Sequence, residues 1–219
     1  MAPADIPDED FRCIGMHYTN LTCAFKAPEY HLKTTYAIEE ITYAGLVRRC
    51  PIRLNDTSCT WDLSTSPSYR QHEDELTFRV WSSNLLGNHT QFFKIDHFAI
   101  IKPGPVSVNL VSQTPNTVAF TWQPPIYFDE DAIEDQITPR LVYEILISRV
   151  TPWPEGDPSR RISVGQAREF NVTGLVPFTQ YVFSFRSKTT RADDSMWSDY
   201  TNMTLTTKDD GNDYYDDND

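Results

Sequence analysis

The segment Leu175-Val176-Pro177-Phe178-Thr179-Gln180-Tyr181-Val182-Phe183-Ser184-Phe185-Arg186 carries two signals at once. A Leu and a Pro followed by a Tyr at a strand entry match a tyrosine corner, in which the phenol bonds a backbone group just upstream in a β-sandwich. Past Tyr181, apolar and polar residues alternate with period two, the mark of a half-buried strand. The same alternation recurs upstream, at Leu141 to Ile147, Thr117 to Trp122, Leu76 to Trp81 and Tyr36 to Tyr43. Leu76, Phe78 and Val80 would share one face. Trp122 closes its run just before Gln123-Pro124-Pro125, the place for a core Trp. Turn residues separate the runs and no capped amphipathic helix interrupts them, which predicts antiparallel sandwiches.

Ile101-Lys102-Pro103-Gly104-Pro105 divides the chain, because prolines remove ladder donors and end strand pairing. Each part has the roughly 100 residues of one seven-stranded sandwich. The expected organisation is a disordered lead over 1–9, a first domain over 10–101, a second over 102–208 and a disordered acidic tail over 209–219. The tail holds six Asp and no Lys or Arg, half of the formal charge of -12. It reads as a self-repelling spacer. A hydrophobic fraction of 39% is too high for a disordered chain. No apolar run approaches the roughly 18 residues of a membrane span, and the acidic balance argues against nucleic acid. With Pro 15 against Gly 8, rigid turns suit the chain better than a Gly-rich phosphate-binding enzyme.

Cys13, Cys23, Cys50 and Cys59 all lie in the first part, and four cysteines allow three pairings. The sequential one closes two short loops, each bond contributing about 2–4 kcal/mol. Zinc is disfavoured, since the spacing has no C-x₂-C step and no His-x₃-His. Five sequons, at Asn20, Asn55, Asn88, Asn171 and Asn202, all end in Thr and exceed the roughly two matches that composition gives by chance. With the cysteines, they favour an extracellular glycoprotein. Met1-Ala2-Pro3-Ala4-Asp5 is not a signal peptide, as no apolar stretch follows, so Met1 is expected to open a trimmed piece of a longer chain.

The two halves resemble a pair of fibronectin type III domains and, more narrowly, the cytokine-binding module of class I cytokine receptors. Cys13, nine residues, then Cys23-Ala24-Phe25 is similar to that family's first cysteine pair, with Phe25 where Trp is usual. Cys50 and Cys59, with Trp61 two residues on, resemble the second pair. Val80-Trp81-Ser82-Ser83-Asn84-Leu85-Leu86-Gly87 resembles the N-x-L-G segment closing the first domain, and Phe98 to Pro105 the interdomain linker. Trp197-Ser198-Asp199-Tyr200-Thr201 stands where the family has W-S-x-W-S. The departures at Phe25, Tyr200 and Thr201 resemble a divergent interleukin-6-signalling-type receptor of the invertebrate Domeless type. The resemblance implies sequential disulfides and an all-β pair of sandwiches joined at an elbow. It implies that the elbow grips a four-helix-bundle cytokine, and that a second receptor chain pairs with it and signals through Janus kinase and STAT. The cell-surface membrane would be reached only through segments beyond this stretch.

In the family, arginines of the neighbouring strand stack on the aromatic rings of this motif. Here Arg186 would lie over Trp197, a contact of about 0.5–2 kcal/mol. Ser184 takes the second arginine position, so a shorter ladder is expected, with Lys188, Arg168 or Arg140 joining. Tyr181, Ser198 and Tyr200 complete this structural set. Ser64 to Glu75, the junction near Phe98, and the loops Pro124 to Pro139 and Thr189 to Met196 should converge at the elbow. Long loops with aromatics beside charges read as hot spots. Ligand contact is therefore expected from Tyr69, Phe98, Tyr127 and Phe128, with Asp193 and Asp194 in support.

No enzyme is expected. His17, His31, His72, His89 and His97 form no H-E-x-x-H and no metal-ligand spacing, and G-x-S-x-G and phosphate-binding glycine loops are absent. Asp129-Glu130-Asp131 with Glu134-Asp135 lacks the spaced D-x-D-x-D-G pattern of a calcium loop. It reads as a solvated loop that attracts a basic partner. No cofactor is implied. A soluble receptor-like subunit or decoy would share the module, and an adhesion protein would share only the sandwiches and sequons.

Overall fold

The computed structural model describes residues 2–29, 32–128, 139–150 and 159–211. It is all-β apart from short 3-10 turns. The first domain holds β1 (Phe11–Met16), β2 (Asn20–Phe25), β3 (Thr35–Ile41), β4 (Val47–Arg49), β5 (Ile52–Asn55), β6 (Ser58–Asp62), β7 (Glu75–Asn84), β8 (Gly87–Asp96) and β9 (Ile101–Lys102). They form one sheet in the order β5-β6-β2-β1-β9 and another in the order β4-β3-β7-β8. Strict alternation lets each sheet bury one face. In β7, Leu76, Phe78 and Val80 point inward to Trp61 and Phe11. Cys13 faces Cys23 across β1 and β2 and is bonded to it, with Cα atoms 4.0 Å apart. Cys50 is bonded to Cys59 with Cα atoms 5.7 Å apart.

The second domain holds β10 (Ser107–Gln113), β11 (Thr117–Gln123), β12 (Leu141–Arg149), β13 (Arg160–Gly165), β14 (Glu169–Thr173), β15 (Gln180–Thr189) and β16 (Thr201–Thr206). Its sheets run β10-β11-β14 and β13-β12-β15-β16. No disulfide links them among the described residues, so aromatic burial carries this core. Phe120 lies 4.8 Å from Phe183 and 5.0 Å from Phe185 between ring centroids, and Trp122 lies 5.7 Å from Tyr143. At the corner, the Val176 N–H donates to the Tyr181 hydroxyl at 3.0 Å.

Three expectations shift. The leading residues are packed rather than disordered: Ile6 is buried, its N–H donates to Gln91 Oε1 at 2.8 Å, and its carbonyl accepts from Gln91 Nε2 at 2.7 Å. Val80 to Gly87 does not end the first domain. It finishes β7 and turns at the exposed Leu85 and Leu86 into β8. The boundary expected between residues 101 and 102 also falls inside a strand, β9. β9 pairs parallel with β1, so the first sheet runs on to Lys102. Residues 212–219, which include most of the acidic tail, lie outside the described residues.

Candidate functional site

The β1–β2 hairpin builds the joint. Its turn holds His17 and Tyr18 at φ 55 and 61, a left-handed conformation uncommon for non-glycine residues. That turn drives the Tyr18 ring out of its own domain. Tyr18 is 0% exposed and belongs to the second domain's core, with Phe98 and Ile101. Its ring lies 5.0 Å from that of Phe128. Its hydroxyl donates to the Gln71 carbonyl at 2.5 Å, and Gln71 Nε2 donates back to the Tyr18 carbonyl. The first domain thus inserts one ring into the second and bonds both polar ends of that residue.

Beneath Tyr18 sit Tyr69 and His97. The His97 Nδ1 lies 2.5 Å from the Glu73 carbonyl. A carbonyl only accepts, so Nδ1 carries the proton and Nε2 accepts from the Tyr69 hydroxyl. Burial holds His97 down to about 4, well below an ordinary imidazole, and keeps it neutral. Burial also pushes the Tyr18 and Tyr69 phenols up. Gly15 leaves little room here: a Cβ would come 3.2 Å from Ile101 Cγ1 and 3.3 Å from the Tyr69 hydroxyl, so a side chain would press on both. The Tyr69 loop is tied to its sheet by buried Glu40, which pairs with Arg48 at 3.2 Å and Arg70 at 3.0 Å.

Polar bonds seal the rim. Thr189 Oγ1 donates to the Phe98 carbonyl at 2.5 Å. Arg191 pairs with Asp96 at 2.8 Å and lies 5.5 Å from the Phe98 ring centroid. Lys102 pairs with Asp199 at 2.8 Å and holds that carboxyl below its usual range. All the expected loops meet here through their described residues. Their side chains, however, divide in a way the sequence did not indicate. Tyr69, Phe98 and Phe128 are 5%, 4% and 1% exposed, so they are corrected from ligand contacts to packing of the joint. Asp193 and Asp194 are exposed but already bonded. Asp193 accepts from the Ser195 N–H at 2.8 Å, and Asp194 accepts from Lys188 Nζ at 2.9 Å and Trp197 Nε1 at 3.2 Å. These bonds hold both carboxyls below the usual range. Tyr127, at φ 73, is 48% exposed beside Ile126 at 78%. The acidic residues 129–135 lie outside the described residues. Tyr18, Gln71, His97, Arg191 and Ile126 were missed. The one available signal was an aromatic residue at the tip of a tight hairpin.

Beside the joint runs a ladder of cations and rings. Arg186 sits 4.5 Å from the Trp197 ring centroid and 4.9 Å from that of Tyr200, and Lys188 Nζ lies 5.2 Å from Trp197. One arginine thus serves two rings. Glu144, its cross-strand partner and itself buried, orients Arg186 through a 2.8 Å contact. Ser198 ties the segment to β15: its N–H donates to the Ser187 carbonyl at 2.8 Å, and its Oγ accepts from the Ser187 N–H at 3.0 Å. Among the described residues, no group of His, Cys, Asp and Glu could hold a metal, and no helix is long and apolar enough to cross a membrane.

Residues 102–204, the span of the second sandwich, match the fibronectin type III domain. A Drosophila melanogaster protein named cytokine receptor is 24% identical over 204 residues, covering 87% of this chain. The chain spans 15% of that relative's length. It is therefore similar to a cytokine receptor over most of its own extent, and it is all-β, with a sandwich on each side of the joint.

Proposed function

We propose that this chain is the extracellular cytokine-binding module of a class I receptor of the interleukin-6-signalling or Domeless type. In this reading it binds a helical-bundle cytokine through the rim of its joint. Ile126 and Tyr127 carry the proposal: they stand exposed on the residues just before Phe128, which is buried. A rigid neighbour presenting an exposed aliphatic and an aromatic side chain lowers the ordering cost of binding. The two disulfides and the likeness to a receptor support an extracellular site and a recognition role without catalysis. Pairing with a second receptor chain would carry the signal to Janus kinases and STAT through parts of the protein beyond this stretch. The sugars would sit on Asn20, Asn55, Asn88, Asn171 and Asn202.

The test is titration of this fragment with candidate four-helix cytokines, read by size exclusion and surface binding. Tyr127→Ala should weaken binding by about 2 kcal/mol, roughly 30-fold, mainly through faster dissociation and at unchanged melting temperature. Full affinity in both Tyr127→Ala and Ile126→Ala, with a bound cytokine, moves the ligand off this rim.

A further inference from the structure

The outer face of the β10-β11-β14 sheet carries a groove of about 340 Å³, at the lower end of ligand-sized hollows. Val111, Ala119, Phe170 and Asn171 are among its walls. Ala119 lies directly opposite Asn171 in the strand register, and its single methyl leaves the hollow open. Val111 sits on an irregularity between Leu110 and Ser112 and is 60% exposed, an apolar surface with nothing over it among the described residues. β14 is one of the two edge strands of this sheet. Asn171 opens the sequon Asn171-Val172-Thr173, with Asn171 and Thr173 both exposed.

We propose that Asn171 carries an N-linked sugar whose first residues lie in this groove, cover Val111 and Ala119, and stabilise the second sandwich. Three of the other sequons are placed differently. Asn55 Oδ1 already accepts from Thr57 N–H at 2.8 Å, Asn88 Oδ1 accepts from Ser83 Oγ at 2.5 Å, and Thr22 Oγ1 is bonded to Thr60 Oγ1 at 2.8 Å. Attachment uses a lipid-pyrophosphate oligosaccharide donor. The Asn171 amide nitrogen forms a bond to C1 of the reducing-end N-acetylglucosamine. The C1–O bond to the lipid pyrophosphate breaks, the pyrophosphate leaves as an anion, and the amide releases one proton. Once attached, the apolar face of the sugar ring takes Val111 and Ala119 out of water, while its hydroxyls face solvent. A bulky hydrated group also shields the sheet edge from pairing with another chain.

The inference rests on the extracellular reading above but not on cytokine binding. The protein is secreted from animal cells and compared with Thr173→Ala, Thr173→Ser and Asn202→Gln by mass spectrometry and thermal unfolding. Thr173→Ala should lose one glycan and at least about 3 °C of melting temperature. Thr173→Ser should restore both, and Asn202→Gln should stay within about 1 °C of wild type. In unglycosylated protein, Thr173→Ala should leave the melting temperature unchanged. Sugar on the other sequons but none on Asn171 overturns this proposal alone, and no sugar anywhere overturns the extracellular reading with it. An unchanged melting temperature on losing the glycan, an equal drop in Asn202→Gln, or an equal drop in unglycosylated Thr173→Ala also overturns it.

Discussion

The joint and the ladder are both aromatic clusters, yet they hold by opposite means. At the joint, Tyr18, Tyr69, His97 and Phe128 are out of water, and the hydroxyls and imidazole bond one another or the backbone. The ion pairs lie at the rim and under the Tyr69 loop, no cation faces these four rings among the described residues, and burial does the stabilising within the cluster. Along the ladder, Tyr200 remains 37% exposed and the rings are faced by Arg186 and Lys188. There the ring quadrupole meets a cation at the edge of solvent, a weaker attraction. The same residue types therefore respond differently to truncation and to pH.

The largest effect should come from Tyr18→Ala. Emptying a fully buried aromatic site costs about 3–5 kcal/mol. Here the void opens between two domains and leaves Phe98, Ile101 and Phe128 without their central contact. Urea denaturation should show the loss, and the joint should loosen in hydrogen exchange. Tyr18→Phe keeps the ring and removes only the bond to Gln71, costing about 1–2 kcal/mol. A cost for Tyr18→Ala no greater than for Tyr18→Phe would demote the inserted ring to a bystander.

His97 sharpens the comparison through pH. Unfolded, its imidazole takes a proton near its ordinary value of 6.5; folded, it resists protonation until about 4. The unfolded state therefore binds more protons in between. Stability is complete above about pH 6.5 and falls as pH drops through that window, by on the order of 3 kcal/mol if the whole shift is expressed. Urea midpoints measured from pH 7 to 4 should show this slope, and His97→Gln should flatten it. An unchanged slope in His97→Gln would place the titration elsewhere.

The contrast also marks what could be found without coordinates. Strand alternation exposed the sandwiches because period two reports one-sided burial, and the Leu175 to Tyr181 segment located its corner from chain-local spacing. The ladder was legible only through the resemblance, which set Arg186 over Trp197 once the Trp197 to Thr201 motif was recognised. Glu144 was not, because a carboxylate in an apolar strand signals nothing until its cross-strand partner is known. The joint was legible only as a meeting of loops. Tyr69 and Phe128 look like exposed loop aromatics in sequence, and only tertiary packing turns them inward. A left-handed turn at His17 and Tyr18, which alternation does not report, brings the ring that buries them.

Trp197→Ala tests the ladder as a unit. It removes the central ring from between Lys188 and Arg186 and should cost about 1–2 kcal/mol. Secreted yield should fall with it, since small losses of stability change abundance. Normal stability with only a loss of cytokine affinity would refute the structural role and move Trp197 to the binding surface.

Tyr200→Ala should have the smallest effect, about 0.5–1 kcal/mol, since one exposed ring leaves one face of Arg186. Tyr200→Phe should cost less, because the ring face survives. Arg186 is shared by both rings and anchored by Glu144, so losing Tyr200 leaves the guanidinium in place over Trp197. The Trp197→Ala Tyr200→Ala pair should then depart from the sum of its single variants, as expected for residues with a common partner. Strict additivity in a thermal or urea double-mutant cycle would mean that the two rings act separately and that no ladder exists.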